Sequence, residues 1–199
     1  MERSSTMIPR PFLLRSGDDS KKYTVFLSYG EDGRQMCDLL DSMLREANAQ
    51  LMEQGIPAMI YADRWDHSAA QRVDSGHVNE VFVERAAASH LTIVLLTNEI
   101  RPGTREELEA VLQNTETQLA VIWFDVGGEA TEIGTPTGTY LKEVVNERML
   151  YLKTGAFDSP QAWQSIFKVV TRLVVHIAST HDSTPLPQMK AESIPGTIA

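Results

Sequence analysis

The sequence predicts an α/β fold in which a five-stranded parallel sheet is covered by helices on both faces, a doubly wound arrangement. Three observations support this prediction. Short apolar runs typical of strands alternate five times with segments of helical periodicity. The run 91–96 (LTIVLL) is apolar except for Thr92, as expected of a strand buried on both faces. The segment 36–51 repeats apolar residues at helical spacing along its whole length.

The predicted elements follow one another in a regular order. The strands are expected at 23–28, 57–62, 91–96, 119–124 and 149–152. The helices are expected at 36–51, 78–86, from Thr104 onward, 140–147 and 163–177. Gly55 is expected to end the first helix. Right-handed crossovers between such short units favour the flavodoxin-like strand order 2-1-3-4-5.

The two ends and the long connections of the chain are polar. Residues 1–22 show no sustained period, which indicates a flexible arm, and residues 179–199 are predicted to be a disordered tail. The domain is therefore expected to span 23–178. Two connections, 63–76 and 127–138, are predicted to be loops, and a connection as long as 63–76 within a compact domain is usually functional or mobile.

The composition restricts the classes of function. At 199 residues, with 42% hydrophobic and 23% charged residues, the chain suits one globular domain. A net charge of −9 argues against nucleic acid as the main partner, since no basic face would neutralise phosphates. No apolar run reaches membrane-spanning length and no signal-peptide pattern is seen, so the expectation is a cytoplasmic protein without a membrane partner. The single cysteine, Cys37, is expected to pack in the core.

Three common motifs of α/β enzymes are absent from the sequence. The first strand is not followed by GxGxxG, and neither GxxxxGK[ST] nor GxSxG occurs. The five histidines show no ligand-like spacing, so no metal site is predicted. What remains is a set of polar and aromatic residues that the fold would bring to one edge of the sheet.

Candidate binding residues follow the ends of the first three predicted strands. The carboxyl ends of parallel strands meet at one edge, where ligands bind in open α/β sheets. The candidates are Tyr29 and Gly30 after the first strand, Asp63, Arg64 and Trp65 after the second, and Asn98 and Glu99 after the third. Aromatic rings, a guanidinium and carboxylates suit a planar base, a phosphate and a ribose. Trp65 is explained about equally well as a loop anchor and as a stacking residue.

A carboxylate follows the third strand at helical spacing. Pro102-Gly103 is expected to break the loop, Thr104 to be the helix N-cap, and Glu107 to complete a capping box. Glu107 would then lie on the first turn of a helix, just beyond the carboxyl end of the central strand. Because acidic residues commonly stabilise first helical turns, spacing alone favours a structural role for Glu107.

Two segments resemble Toll/interleukin-1 receptor (TIR) domains. The segment 23–29 (YTVFLSY), with the charged turn and long amphipathic helix after it, resembles their opening. The segment 91–112 (LTIVLLTNEIRPGTREELEAVL) resembles their third strand, its loop and the glutamate-bearing helix. The GTxxE spacing is similar to that of bacterial TIR-like domains that also carry a Trp after strand two. In place of the usual Ser or Cys with Trp ahead of this helix, the chain has Pro102-Gly103-Thr104.

The resemblance implies an enzyme that cleaves the nicotinamide–ribose bond of NAD to give ADP-ribose or a cyclic product. Glu107 would be the catalytic residue, with Glu106 as the alternative. NAD would be the substrate, with no separate cofactor and no metal. The implied substrate-binding residues are Ser28, Tyr29, Gly30, Arg64, Trp65, Asn98 and Thr104.

The resemblance also implies partners. TIR domains associate through the loop after the second strand, here 63–76, and a bacterial defence effector of this type would respond to a sensor or activator protein or to a nucleotide signal. Two alternatives remain open. One is a TIR adaptor without enzymatic activity. The other is a nucleoside deoxyribosyltransferase-like enzyme, which also uses a glutamate on a similar scaffold.

Overall fold

Five parallel strands form one sheet in the computed structural model, which describes residues 21–56, 58–67, 78–124, 135–144, 151–154 and 159–179. The strands are β1 (Lys21–Tyr29), β2 (Ala58–Arg64), β3 (Leu91–Leu96), β4 (Gln118–Phe124) and β5 (Tyr151–Thr154). The α-helices in these ranges are α1 (Arg34–Glu53), α2 (Val78–Ala88), α3 (Pro102–Gln113), α4 (Pro136–Val144) and α5 (Pro160–Ser179). All neighbouring strands are parallel, in the order β2-β1-β3-β4-β5, which confirms the predicted flavodoxin-like order.

The two faces of the sheet carry different helices. Helices α1 and α5 cover one face, where they pack on Val25, Leu27 and Tyr29 of β1. On the other face α2 and α3 pack on Phe26, and α3 and α4 pack on alternate residues of β3 and β4. All six residues of β3 are buried, as expected for a central strand between two layers. Residues that follow one another along β1 therefore belong to different layers.

Helix α1 forms as predicted and closes the free side of the edge strand β2. Its apolar stripe is buried, and Gly55, with a φ of 70°, ends it as predicted. Cys37 is fully buried in this layer, where burial raises the pKa of its thiol to about 12, so it packs as a neutral residue. Asn48 accepts a hydrogen bond from the Ile60 N–H at 2.7 Å and donates one to the Ile60 carbonyl at 2.8 Å. These bonds satisfy backbone groups that an edge strand would otherwise leave unpaired.

Asn48→Ala is expected to lower the free energy of unfolding by about 1–3 kcal/mol, because it leaves partly buried backbone groups without partners. Urea denaturation measures this loss. Glu46→Ala is the matched control, since Glu46 is exposed on the same helix and should cost less than about 0.5 kcal/mol. Equal losses in the two variants would contradict the role of Asn48.

The predicted start of α3 is wrong. The helix begins at Pro102, with Arg101 as the N-cap and no side-chain capping bond. Thr104 is therefore inside the helix and no capping box forms with Glu107, which lies in the second turn. The reason is that proline suits the first helical position, where its fixed φ is helical and no N–H is required. Pro102 starts the helix instead of breaking the loop.

Other boundaries differ by a few residues from the predicted ones. β2 continues to Arg64, so Asp63 and Arg64 belong to a strand, and Trp65–His67 form a 3₁₀ turn. The predicted end of the loop 127–138 is wrong, because α4 already begins at Pro136 and buries Thr137 and Gly138. β1 begins at Lys21, two residues earlier than expected. The predictions for 1–20, 57, 68–77, 127–134, 145–150 and 180–199 lie outside the described residues.

Within the part of the chain that the structure describes, none of the helices combines the length and the apolar character needed to cross a membrane.

Candidate functional site

Glu107 on α3 and Ser28 on β1 form a buried hydrogen-bonded pair at the carboxyl edge of the sheet. The Ser28 hydroxyl donates to Glu107 Oε2 at 2.5 Å, and the two residues are 0% and 7% exposed. Glu107 faces the sheet because it shares one side of α3 with three other buried residues, Thr104, Leu108 and Val111. A carboxylate thus occupies one position of a buried helix stripe whose other members are uncharged.

The protonation of Glu107 is unusual for a glutamate. Burial raises the pKa of its carboxyl to about 7, and the negative charge of Glu106 acts in the same direction. The hydrogen bond from Ser28 and the positive charge of Arg85 lower the pKa but do not outweigh burial. The group therefore changes charge close to neutral pH. Such a carboxyl at the ligand-binding edge of a parallel sheet is more typical of a functional site than of a helix cap.

Helix α2 supports Glu107 from one side. Arg85 donates from Nε to Asp63 Oδ2 at 3.0 Å, which ties α2 to the end of β2, and its guanidinium lies 5.3 Å from the centre of the Phe82 ring. Asn79 donates to the exposed carboxylate of Glu106. Glu106 therefore contacts the neighbouring helix, whereas Glu107 faces the sheet. Of the two predicted candidates, only Glu107 has the environment of a functional carboxylate.

Gly103 allows α2 and α3 to approach closely near this site. A Cβ atom at position 103 would lie 2.8 Å from the Asn79 side-chain oxygen, closer than real Cβ atoms come to other atoms. A larger residue at position 103 would therefore have to displace the Asn79 side chain, which packs against the first turn of α3.

Tyr29, Arg64 and Trp65 lie on the opposite face of the sheet from Glu107. Successive residues of a strand point to opposite faces, so Ser28 points toward α3 and Tyr29 packs beneath α1 and α5. The Tyr29 and Trp65 rings are tilted, with centroids 5.7 Å apart. The predicted binding residues therefore form two groups: Ser28 and Glu107 meet on one face of the sheet, and Tyr29, Arg64 and Trp65 lie together on the other.

Arg64 is a buried structural cation in this arrangement. It is 3% exposed, and its guanidinium lies 2.7 Å from Asp38, 2.8 Å from Asp66 and 3.7 Å from Asp41. The predicted phosphate contact of Arg64 does not fit these surroundings, because its positive charge is already matched by carboxylates. The ion pairs instead hold α1 against the end of β2.

Trp65 packs as an anchor for the end of β2. It is half-buried against the apolar layer beneath α1 and α5 and contacts Tyr29. We expect Trp65→Ala to lower the free energy of unfolding by about 2 kcal/mol, roughly half the cost of truncating a fully buried tryptophan. Thermal unfolding measures the loss. Intact stability together with weaker ligand binding would instead favour the stacking role.

The remaining predicted residues, Asn98, Thr104 and Gly30, lie near the carboxyl ends of β1 and β3. Asn98 accepts a hydrogen bond from Trp123 Nε1 at 3.3 Å, and its carbonyl accepts one from the Thr137 N–H at 3.3 Å. Asn98 therefore ties the loop after β3 to β4 and α4. Thr104 is buried on the sheet-facing side of α3. Gly30 lies beneath two side chains, since a Cβ there would be 2.6 Å from Asp32 Oδ1 and 2.8 Å from Arg101 Cγ.

Sequence reasoning missed three residues near this edge, Asp32, Arg85 and Arg101. Thr97 donates to Asp32 at 2.5 Å across the ends of β1 and β3. For Arg101 the signal was its place in the loop after the central strand, directly before a helix. For Arg85 the sequence carried no signal, because its contact with Asp63 is set by tertiary packing. In the ranges described, no group of three or more histidine, cysteine or acidic side chains could hold a metal ion.

The comparisons with known proteins give information on the fold and on nothing else. No family model matches the chain, and no curated protein matches it. A proposed quinone reductase from Klebsiella pneumoniae is 8% identical, with a TM-score of 0.45 over 83% of this chain and 87% of that one. The flavodiiron core of Flv1 from Synechocystis is 12% identical, with a TM-score of 0.48 over 79% and 36%. An archaeal flavodoxin is 9% identical, with a TM-score of 0.40 over 77% and 98%.

Proposed function

We propose that this protein is a NAD glycohydrolase of the bacterial TIR type. It cleaves the nicotinamide–ribose bond and releases nicotinamide together with ADP-ribose or a cyclic ADP-ribose product. The observation that carries the proposal is the buried carboxyl of Glu107, hydrogen-bonded by Ser28 at the carboxyl edge of the sheet. It lies in the segment that resembles the glutamate-bearing helix of TIR domains. The proposed setting is the cytoplasm, where the protein acts as a defence effector.

The chemistry of the bond suits a single carboxylate. Nicotinamide is bound to the ribose as a cationic pyridinium, so it leaves as a neutral base and needs no proton from a general acid. Positive charge then develops on the ribose, and a nearby carboxylate stabilises this oxocarbenium-like transition state. Water as the acceptor gives ADP-ribose, whereas attack from within the substrate gives a cyclic product.

The raised pKa of Glu107 is compatible with this role. The carboxyl is partly protonated at neutral pH in the free protein, because burial raises its pKa to about 7. A bound pyridinium cation would favour the ionised form, since an opposite charge lowers the pKa of a carboxyl. Substrate binding would therefore help to produce the charged state that the reaction requires. NAD is the substrate here, and the proposal includes no separate cofactor and no metal.

The decisive experiment is to incubate the purified protein with NAD and to measure free nicotinamide by liquid chromatography. Release of nicotinamide supports the proposal. A TIR adaptor would release none. A deoxyribosyltransferase-like enzyme would leave NAD intact but would exchange bases on deoxynucleosides, which the same chromatography detects. Each of these last two results would overturn the proposed activity.

Self-association is part of the proposed function. The contact is assigned to the loop after β2, predicted at 63–76, although its first two residues, Asp63 and Arg64, are held in β2 by Arg85 and by Asp38 of α1. If a neighbouring molecule completes the site, specific activity should rise with protein concentration and fall at high salt. A dilution series with light scattering on the same samples measures both quantities. Constant specific activity from a monomer would remove this part of the proposal.

A further inference from the structure

We infer that Arg101, and not Arg64, binds the phosphate groups of the dinucleotide. The inference rests on the proposed function for the identity of the ligand, which it specifies as one carrying a nucleoside diphosphate. It depends on one juxtaposition: the side chain of the exposed Arg101 crosses Gly30, which follows the buried Ser28–Glu107 pair by two residues along the end of β1.

The position of Arg101 suits a phosphate contact. Ligands of doubly wound sheets bind where the strand order reverses, which in this sheet is between β1 and β3. Gly30 follows Ser28 by two residues, or about 7 Å along the strand. The Arg101 side chain, which crosses Gly30, therefore lies beyond the position of Ser28 along the strand direction rather than on it. In NAD the scissile bond and the nearest phosphate are likewise separated by one ribose ring and its 5′ carbon.

Arg101 is less firmly held than three other arginines near this edge. Arg64, Arg85 and Arg105 each donate a hydrogen bond to a carboxylate at 2.8–3.0 Å. Arg101 donates no hydrogen bond to a described residue, and its side chain is 53% exposed. Its closest carboxylate oxygens belong to Asp32, at 3.8 Å, and to Glu99, at 4.0 Å. Both distances are too long for hydrogen bonds. Arg34, which is also exposed, begins α1 on the opposite face of the sheet and lies 3.5 Å from Asp66. A bound phosphate could accept hydrogen bonds from two N–H groups of Arg101 without breaking an existing hydrogen bond.

The start of α3 adds to the attraction for an anion. Arg101 is the N-cap residue, and no side chain caps the helix. The positive end of the helix dipole therefore faces the same region as the guanidinium. Asp32 opposes binding, because its carboxylate is held nearby by Thr97. Arg101 thus raises the affinity for phosphate and Asp32 lowers it. Removing the charge of one residue should weaken binding, and removing the charge of the other should strengthen it.

Binding of ADP-ribose, measured by isothermal titration calorimetry, tests the inference independently of catalysis. Arg101→Gln is expected to weaken binding at least about tenfold, since a hydrogen bond to a charged group contributes at that level. Arg101→Lys keeps the positive charge, and its affinity for ADP-ribose should lie between those of the wild type and Arg101→Gln. Asp32→Asn should tighten binding, because the amide still accepts from Thr97 but no longer repels phosphate. Arg105→Gln is the matched control, since Arg105 is equally exposed but bonded to Glu109, and should bind as the wild type does.

Kinetics separate this inference from the proposed activity. For NAD, Arg101→Gln should raise KM at least about tenfold with little change in kcat, as expected for uniform binding. Cleavage of nicotinamide riboside, which has no phosphate, should be unchanged. Equal ADP-ribose binding by wild type and Arg101→Gln, or no binding by the wild type, overturns the inference. Tight, Arg101-dependent binding of ADP-ribose without nicotinamide release supports the phosphate site and overturns only the proposed reaction.

Discussion

Glu107→Gln is expected to abolish the release of nicotinamide while the protein remains folded. The neutral amide cannot stabilise the positive charge that develops on the ribose, but it has the same shape and can still accept the hydrogen bond from Ser28. Removing a group in such a role costs about two orders of magnitude or more in kcat. Initial rates of nicotinamide release from NAD, at matched concentrations of folded protein, measure the effect.

Glu106→Gln is the matched control for this variant. Glu106 is adjacent in sequence, exposed, and bonded to Asn79 rather than directed at the sheet. It should keep its activity at pH 7, because removing its charge only favours ionisation of Glu107. Loss of activity in Glu106→Gln with normal activity in Glu107→Gln would show that the catalytic assignment is wrong.

The stability of Glu107→Gln provides a second control. The folded protein keeps a proton on Glu107 up to about pH 7, whereas the unfolded chain releases it near the ordinary value of 4.5. Between these values the unfolded state binds fewer protons, so the free energy of unfolding falls as the pH rises. The loss is complete above pH 7 and amounts to about 3 kcal/mol. Urea denaturation should therefore find Glu107→Gln more stable than the wild type at pH 8, with little difference at pH 4.5.

Ser28→Ala is expected to move the pH dependence of kcat/KM to higher pH. The Ser28 hydrogen bond favours the ionised form of Glu107, so its removal raises the pKa of a carboxyl that is already near 7. Activity should drop most below pH 7 and recover toward the wild-type level near pH 9. A pH profile of the two proteins measures the shift.

Ser28→Thr serves as the control, because threonine keeps a hydroxyl at this position and should hold the profile near that of the wild type. A uniform loss in Ser28→Ala at every pH would contradict the role in ionisation. It would indicate instead that the hydroxyl binds the substrate directly, as the sequence resemblance implies.

The sequence predicted the architecture because its signals are periodic and long. The stripe of α1 and the apolar run of β3 extend over whole elements, and neither depends on an exact boundary. The burial of Glu107 could also be predicted from the sequence, since Thr104, Glu107, Leu108 and Val111 have the spacing of one helix face. The first turn of α3 was harder. Thr104 and Pro102 are both helix-start signals, and only the surrounding packing decided between them.

The division of the site between two faces could not be predicted. The second strand was expected to end at residue 62, which put Arg64 and Trp65 in a loop free to turn toward Glu107. In the structure β2 continues to Arg64, and strand alternation then directs that side chain toward α1. An error of two residues in a strand end thus changes the assigned role of an arginine. Which arginine is buried among carboxylates depends on α1, α2 and β2 together.

The alternation along β1 has a consequence for how this protein can vary. Ser28 is paired with Val94 and Tyr29 with Leu95, and the two side chains point into opposite layers. Deletion of one residue of β1 ahead of Ser28 would move Tyr29 onto the face of Glu107, and insertion of one residue there would move Leu27 onto it, even if every other side chain were retained. Substitutions at the end of β1 can therefore be tolerated one at a time, whereas any change in its length would dismantle the site and the opposite core layer together.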